Sequence, residues 1–141
     1  MNQSKKKILV IVAHTDDESF GCGGLISKFS KKNSIIRIVF LAEGISSRYN
    51  LKNSRSIEKI NDEISYRENC ALEALEILGV SRGEIFFNKR KCCQLDNYPL
   101  LEITKEIERH IKDFLPSCLI THFGQDTNID HRVSFQATLP A

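Results

Sequence analysis

Short apolar runs alternate with longer segments of helical periodicity along most of the chain. The apolar runs are rich in β-branched and aromatic residues, which favours strands. The predicted strands cover residues 8–13, 35–42, 84–88 and 118–122. Since helical segments separate them, the order predicts repeated βα units. We therefore expect an α/β fold, a Rossmann-like three-layer sandwich with a mainly parallel sheet and helices on both faces.

Acidic residues, glycine and proline bound the predicted helices. Asp17 and Glu18 favour a helix N-terminus because their carboxylates interact with the positive end of the helix dipole. Gly79 is a typical residue just after a helix, and Pro116 lies beyond the end of another. The predicted helices cover residues 17–32, 60–78, 100–114 and 132–139. His110 lies on a charged helix face and is expected to be exposed and inert.

A polar segment over residues 43–58 separates the second strand from the longest helix. Polar connections of this kind usually run over the surface. We expect a surface loop that could cover a binding site.

Two polar clusters follow predicted strands. Ala13-His14-Thr15-Asp16-Asp17-Glu18 follows the first strand, and residues 126–132 follow the fourth. In a parallel sheet, ligands bind at the carboxyl ends of the strands. If the clusters share one site, strands one and four must be neighbours.

The residue types in the two clusters are those of a catalytic metal site. His14 and Asp17, three apart on a strand-to-helix turn, can converge on one divalent ion, and His131 can complete the set. Three protein ligands with an open position are typical of catalytic zinc, whose bound water has a pKa of about 7. Asp16 could accept that water's proton as general base. Asp130 is suited to orient a histidine.

Each of these residues also has a simpler interpretation. An aspartate at a helix start is usually a cap, and a single histidine is usually not a ligand. Two histidines and a carboxylate also bind iron in non-haem oxygenases, so Fe²⁺ is an alternative to Zn²⁺. His122, at a strand end, is a candidate to line the site or to donate a proton.

Composition narrows the class of protein. The chain has 141 residues, 41% of them hydrophobic, and a formal charge of +2, which gives no bulk electrostatic reason to expect nucleic-acid binding. No apolar run reaches the roughly 18 residues of a membrane span. Five cysteines without zinc-ribbon spacing indicate reduced thiols and a cytoplasmic protein. Cys92 and Cys93 are a candidate soft-metal pair, although adjacent cysteines seldom chelate one ion well.

At these residues the sequence resembles the PIG-L/LmbE-like zinc N-deacetylases. Their first signature is Ala-His-Pro-Asp-Asp-Glu, and the present chain has Thr15 in place of the proline. The resemblance covers nearly the whole chain. It extends through residues 21–24, 43–48, 67–71, 78–80, 95–96, 99–101 and 126–132.

The resemblance implies an activity and a set of roles. His14, Asp17 and His131 would be zinc ligands, and Asp16 would activate water. The substrate would be an N-acetylglucosamine-type amino sugar or glycoconjugate, from which the acetyl group is removed. A non-catalytic metal- or sugar-binding remnant of the family is the alternative, and it predicts metal binding without turnover.

Other positions bear on substrate choice. Asn128 stands where several relatives have a histidine thought to stabilise the oxyanion or to protonate the leaving amine. Arg48, Arg67 and Asp96 are candidates to hold the sugar or a phosphate, with ordinary salt bridges as the alternative. Residues 91–94 replace a run that in relatives is thought to touch substrate.

The chain ends at Ala141, soon after His131, whereas relatives continue through further elements. We expect residues 1–141 to form a single domain that lacks the family's C-terminal part. Apolar surface left uncovered would favour a homo-oligomer and could compromise stability or substrate binding.

Overall fold

Strands and helices alternate through residues 5–49 and 54–141, which the computed structural model of the protein describes. The strands are β1 (Lys7–Val12), β2 (Ile35–Ala42), β3 (Ile85–Arg90) and β4 (Cys118–Ile120). The helices are α1 (Asp17–Ser30), α2 (Ser54–Ile77), α3 (Leu100–Phe114) and α4 (Ile129–Thr138). Short 3-10 turns lie at Ser46–Arg48, Arg82–Glu84 and Leu95–Asn97.

The sheet is parallel, with the strand order β3-β2-β1-β4. β1 lies in the middle and pairs with β2 on one side and β4 on the other, so that Ile8 is opposite both Ile36 and Cys118. This confirms that the first and fourth strands are neighbours. The two polar clusters therefore reach the same edge of the sheet.

Helices cover both faces of the sheet, because side chains alternate between the faces of a strand. Val10 of β1 belongs to one buried cluster with Leu75 of α2, and α1 packs on the same side. Ile11 belongs to a second cluster with Ile107 of α3, and α4 contributes to it as well. The predicted three-layer α/β architecture is confirmed.

Some helix boundaries differ from the prediction for local reasons. α1 ends at Ser30 and has a kink at Cys22, whose φ is −144°. α4 begins at Ile129, three residues earlier than predicted. Its N-cap is Asn128, whose side-chain oxygen accepts a hydrogen bond from the Asp130 backbone N–H. Gly79, with φ of +88°, follows α2 as expected.

The predicted surface loop over residues 43–58 is wrong in its first part. Glu43 to Ser46 are buried, and α2 already begins at Ser54. The carboxylate of Glu43 accepts backbone N–H bonds from Ser46 at 3.0 Å and from Cys92 at 2.8 Å. A carboxylate with several such donors can be buried. Residues 50–53 of the predicted loop lie outside the described residues.

His110 is half-buried, contrary to the expectation that it is exposed. Its ring lies edge-to-face against Phe86, with the centroids 4.8 Å apart. Burial lowers the pKa of His110, and the nearby Arg37 guanidinium lowers it further. None of the described helices is long and apolar enough to cross a membrane.

Candidate metal centre

The site is built at the carboxyl ends of β1 and β4. His14 follows β1, and Asp17 is the first residue of α1. A hydrogen bond of 2.7 Å from the His14 backbone N–H to the side-chain Oδ2 of Asp17 closes the turn between them. His131 lies in the first turn of α4, which directly follows β4, the strand next to β1.

The Asp17 carboxylate faces three imidazole rings. His14 Nδ1 lies 3.5 Å from Oδ2, and His131 Nε2 lies 3.3 Å from Oδ1. His122 Nε2 lies 3.4 Å from Oδ2. One donor atom each from His14, Asp17 and His131, here called the ligand cluster, lies within 4.8 Å of the other two. The structure thus brings the three predicted metal ligands together.

The far nitrogen of each histidine in the ligand cluster meets a carboxylate. His14 Nε2 lies 2.9 Å from Asp130 Oδ2, and His131 Nδ1 lies 3.0 Å from Asp126 Oδ2. Metal-binding histidines commonly have such an outer partner, which fixes the ring and leaves the inner nitrogen free. The residues present therefore fit a bound divalent ion.

Asp130 is completely buried, and its hydrogen bonds are complete. Its Oδ1 accepts the Leu95 N–H at 2.9 Å, and its Oδ2 accepts the Cys93 N–H at 2.6 Å besides facing His14. The histidine that Asp130 touches is His14 and not its sequence neighbour His131. The carboxylate that faces His131 is instead that of Asp126, to which the sequence analysis assigned no role. Its position five residues before His131 is the signal that could have suggested it.

His122 also contacts the ligand cluster, but its nitrogen nearest to Asp17 accepts a backbone hydrogen bond. The Ala13 N–H donates to its Nε2 at 2.9 Å, so the lone pair of that nitrogen is engaged. Its ring stacks on His131, with centroids 3.9 Å apart and planes inclined by 12°. His122 therefore buttresses the His131 ring.

Carboxylates dominate the electrostatics of the site. Burial lowers the pKa of His14, but hydrogen bonds to Asp130 and Asp17 outweigh burial and raise that pKa to about 12. Burial raises the pKa of Asp17, but the nearby His122 ring and the His14 ring and backbone N–H outweigh burial and hold that pKa well below its usual range. The site favours positive charge.

Asp16 is the sequence neighbour of Asp17, and 43% of its side chain is exposed. Its Oδ2 accepts a 2.6 Å hydrogen bond from Arg67. The same guanidinium donates to the backbone oxygens of Thr15 at 2.8 Å and Gly44 at 3.2 Å. Arg67, which was predicted to contact substrate, therefore donates a hydrogen bond to Asp16, the predicted general base.

The remaining predicted residues lie around the cluster. Asn128 is half-buried and caps α4, while its own N–H donates to Asp126 Oδ1 at 2.8 Å. Arg48 and Asp96 are exposed in separate 3-10 turns. Among the described residues, no hydrogen bond joins either of them to the ligand cluster.

Solved structures with the same fold include two deacetylases and a hydratase. The N,N'-diacetylchitobiose deacetylase from Pyrococcus horikoshii is 22% identical with a TM-score of 0.78, over 95% of this chain and 48% of that chain. A deacetylase of the teicoplanin biosynthetic pathway is 18% identical with a TM-score of 0.78, over 96% of this chain and 59% of that one. GalB, the 4-carboxy-2-hydroxymuconate hydratase from Pseudomonas putida KT2440, is 22% identical with a TM-score of 0.70, over 94% of this chain and 53% of that chain.

The chain spans about half the length of these proteins, between 48% and 59%. At such identities the likeness establishes the fold. Comparison with curated proteins gives no significant match. The family model for PIG-L, described as GlcNAc-PI de-N-acetylase, matches residues 9–141. The chain therefore belongs to the PIG-L family.

Proposed function

We propose that the chain carries the centre of a metal-dependent hydrolase that removes the acetyl group from an N-acetylglucosamine-type amino sugar or glycoconjugate. The observation that carries the proposal is the meeting of His14, Asp17 and His131, which come from two distant clusters. Membership of the PIG-L family supports the same reaction class. Zn²⁺ is the proposed ion, with Fe²⁺ as the alternative.

His14, Asp17 and His131 would hold the ion through one atom each. A bound Zn²⁺ would lower the pKa of a coordinated water and polarise the acetamide carbonyl. Asp130 and Asp126 would keep the two imidazoles oriented through the 2.9 Å and 3.0 Å contacts to their outer nitrogens.

Asp16 is the proposed general base. It would accept the proton of the attacking water and pass it to the leaving amine as the C–N bond breaks, which yields acetate and a free amino sugar. The 2.6 Å bond from Arg67 engages Oδ2 and fixes the carboxylate, while 43% exposure of the side chain allows substrate to approach. Arg67 would then act mainly by positioning Asp16.

Asn128 would supply a hydrogen-bond donor to the substrate oxygen. Its Oδ1 is engaged as the cap of α4, and the side-chain amide N–H₂ can donate but cannot titrate. Arg48 and Asp96 are proposed to contact the sugar or its aglycone from the rim of the site. Their exposure is compatible with that role.

The test combines metal content with acetate release from a panel of N-acetylglucosamine conjugates. We expect one ion per chain and acetate from at least one conjugate. His131→Ala should lose both. Asp16→Asn should keep the ion and release acetate about 10²-fold to 10⁴-fold more slowly, the usual contribution of a general base.

The matched control is Asp62→Asn, the same substitution at an exposed site on α2. It should behave as the wild type. Unchanged activity in Asp16→Asn would refute the proposed mechanism. Bound metal without acetate from any conjugate would favour the non-catalytic alternative.

A further inference from the structure

The buried thiol of Cys92 lies close to His14 and Asp130. One donor atom each from His14, Cys92 and Asp130, here called the thiol group, lies within 4.8 Å of the other two. All three residues are buried, with exposures of 7%, 6% and 0%. The described residues thus contain a second set of metal-capable side chains that shares His14 with the ligand cluster.

The two sets meet different nitrogens of the same ring. His14 Nδ1 is directed to Asp17, while Nε2 is directed to Asp130 Oδ2 at 2.9 Å. In a tetrahedral zinc site, a nitrogen at about 2.0 Å and an oxygen at about 2.1 Å from the ion lie roughly 3.3 Å apart. An ion could replace the proton between His14 and Asp130 if these atoms separated by about 0.4 Å.

Cys93 can supply a fourth donor. Its side chain is exposed, and its Sγ lies 3.7 Å from Cys92 Sγ. Two thiolates bound to one tetrahedral ion at about 2.3 Å lie roughly 3.8 Å apart, close to the separation of the two sulfurs. Cys93 Sγ is not among the donor atoms that lie within 4.8 Å of one another, so the exposed side chain of Cys93 would have to turn toward His14 and Asp130 to complete the site. The Cys93 N–H also donates to Asp130 Oδ2 at 2.6 Å, which ties this dipeptide to the carboxylate.

We propose that His14, Cys92 and Asp130, completed by Cys93, form a second metal site that selects a thiophilic divalent ion such as Cd²⁺. Thiolates favour soft ions, whereas the ligand cluster offers only nitrogen and oxygen. Each cysteine binds as a thiolate and releases its proton to solvent. Ser47 Oγ, 3.3 Å from Cys92 Sγ, can donate a hydrogen bond to that sulfur.

The two sites exclude each other at His14. A neutral imidazole has one nitrogen lone pair, so the ring serves either the ion at Nδ1 or the ion at Nε2. A thiophilic ion therefore removes one ligand from the ligand cluster and inactivates the centre. The inactivation rests on the proposed function, whereas the binding itself does not.

The test is a Cd²⁺ titration of the full chain, followed by the ultraviolet thiolate-to-cadmium charge-transfer absorbance. We expect a band that saturates at one ion per chain. It should disappear in Cys92→Ser and remain in Asp17→Asn, which removes a residue of the ligand cluster only. Cys118→Ser, at an exposed cysteine outside the thiol group, is the matched control and should leave the band unchanged.

Cys93→Ser gives a second test at an exposed position, where folding is not at risk. Its band should fall to about half, because one of two sulfur ligands is lost. Absence of the band in the wild type, or its persistence in Cys92→Ser, would overturn the inference. Acetate release without a band would refute the thiol site alone, and a band without acetate release would refute the proposed function alone.

Discussion

The contact between Asp126 and His131 allows a sharp test of how the centre is organised. Asp126 Oδ2 faces His131 Nδ1 at 3.0 Å, while its Oδ1 accepts the Asn128 N–H at 2.8 Å. The backbone N–H of Asn128 and the side chain of His131 hold the pKa of Asp126 below its usual range, so it is an anion at neutral pH. Asp126→Asn removes the charge and one acceptor while keeping the shape.

The asparagine cannot satisfy both neighbours. If its oxygen keeps the Asn128 N–H, its N–H₂ faces His131 Nδ1 and forces the ring proton onto Nε2, the atom 3.3 Å from Asp17. That tautomer cannot bind an ion at Nε2. Loss of such outer partners usually weakens metal affinity about 10-fold to 100-fold, which corresponds to about 1.4–2.7 kcal/mol.

Zn²⁺ affinity is measured by competition with a chromophoric chelator, for the wild type, Asp126→Asn and the control Asp62→Asn. Combining Asp126→Asn with His131→Ala should add little to the loss caused by His131→Ala alone, because both act on one ligand. Wild-type affinity in Asp126→Asn, with the fold intact by thermal unfolding, would refute the assignment of His131 as an Asp126-oriented ligand.

Two further predictions concern stability. Gly44 has φ of +78°, and an added Cβ would lie 3.2 Å from His14 Cβ, so Gly44→Ala should destabilise the fold by about 1 kcal/mol and weaken Zn²⁺ affinity. Gly83→Ala, where a Cβ meets nothing within 4 Å, should leave both unchanged, and equal melting temperatures for the two variants would contradict this. Burial lowers the pKa of His110, so its stabilising contribution is present above its unfolded pKa of 6.5 and is lost as pH falls through the lower folded pKa. His110→Gln should therefore flatten the fall in the free energy of unfolding from about pH 7 to about pH 5, and parallel pH profiles of the two proteins would refute it. The charged groups near His110 are Arg37 from β2 and Glu106, Arg109 and Asp113 from α3.

The regular elements were largely predictable, because their signals are local. α3 begins at Leu100 and ends at Phe114 as predicted, since an apolar stripe and the following Pro116 bound it. The strands also follow from short apolar runs. The start of α4 was missed because the Asn128 cap is recognised only by its hydrogen bond to the Asp130 N–H.

Predictions of exposure failed where burial depends on a distant partner. Glu43 is polar, yet its carboxylate is buried because Cys92, 49 residues away, supplies a backbone N–H. His110 is half-buried because α3 packs on Phe86 of β3. A polar residue in sequence gives no sign of such donors or neighbours.

The sequence by itself determined the alternation of strands and helices, the two polar clusters and the family resemblance. Each of these rests on neighbouring residues, through hydrophobic periodicity or a contiguous motif. Only the tertiary structure decided which atoms meet. Placing β4 beside β1 joins the clusters and sets Asp130 on His14 instead of on its neighbour His131, while the connection after β3 brings Cys92 to the same imidazole. These contacts depend on strand order and side-chain direction between residues that are 78 apart for Cys92 and 116 apart for Asp130, which local patterns do not encode.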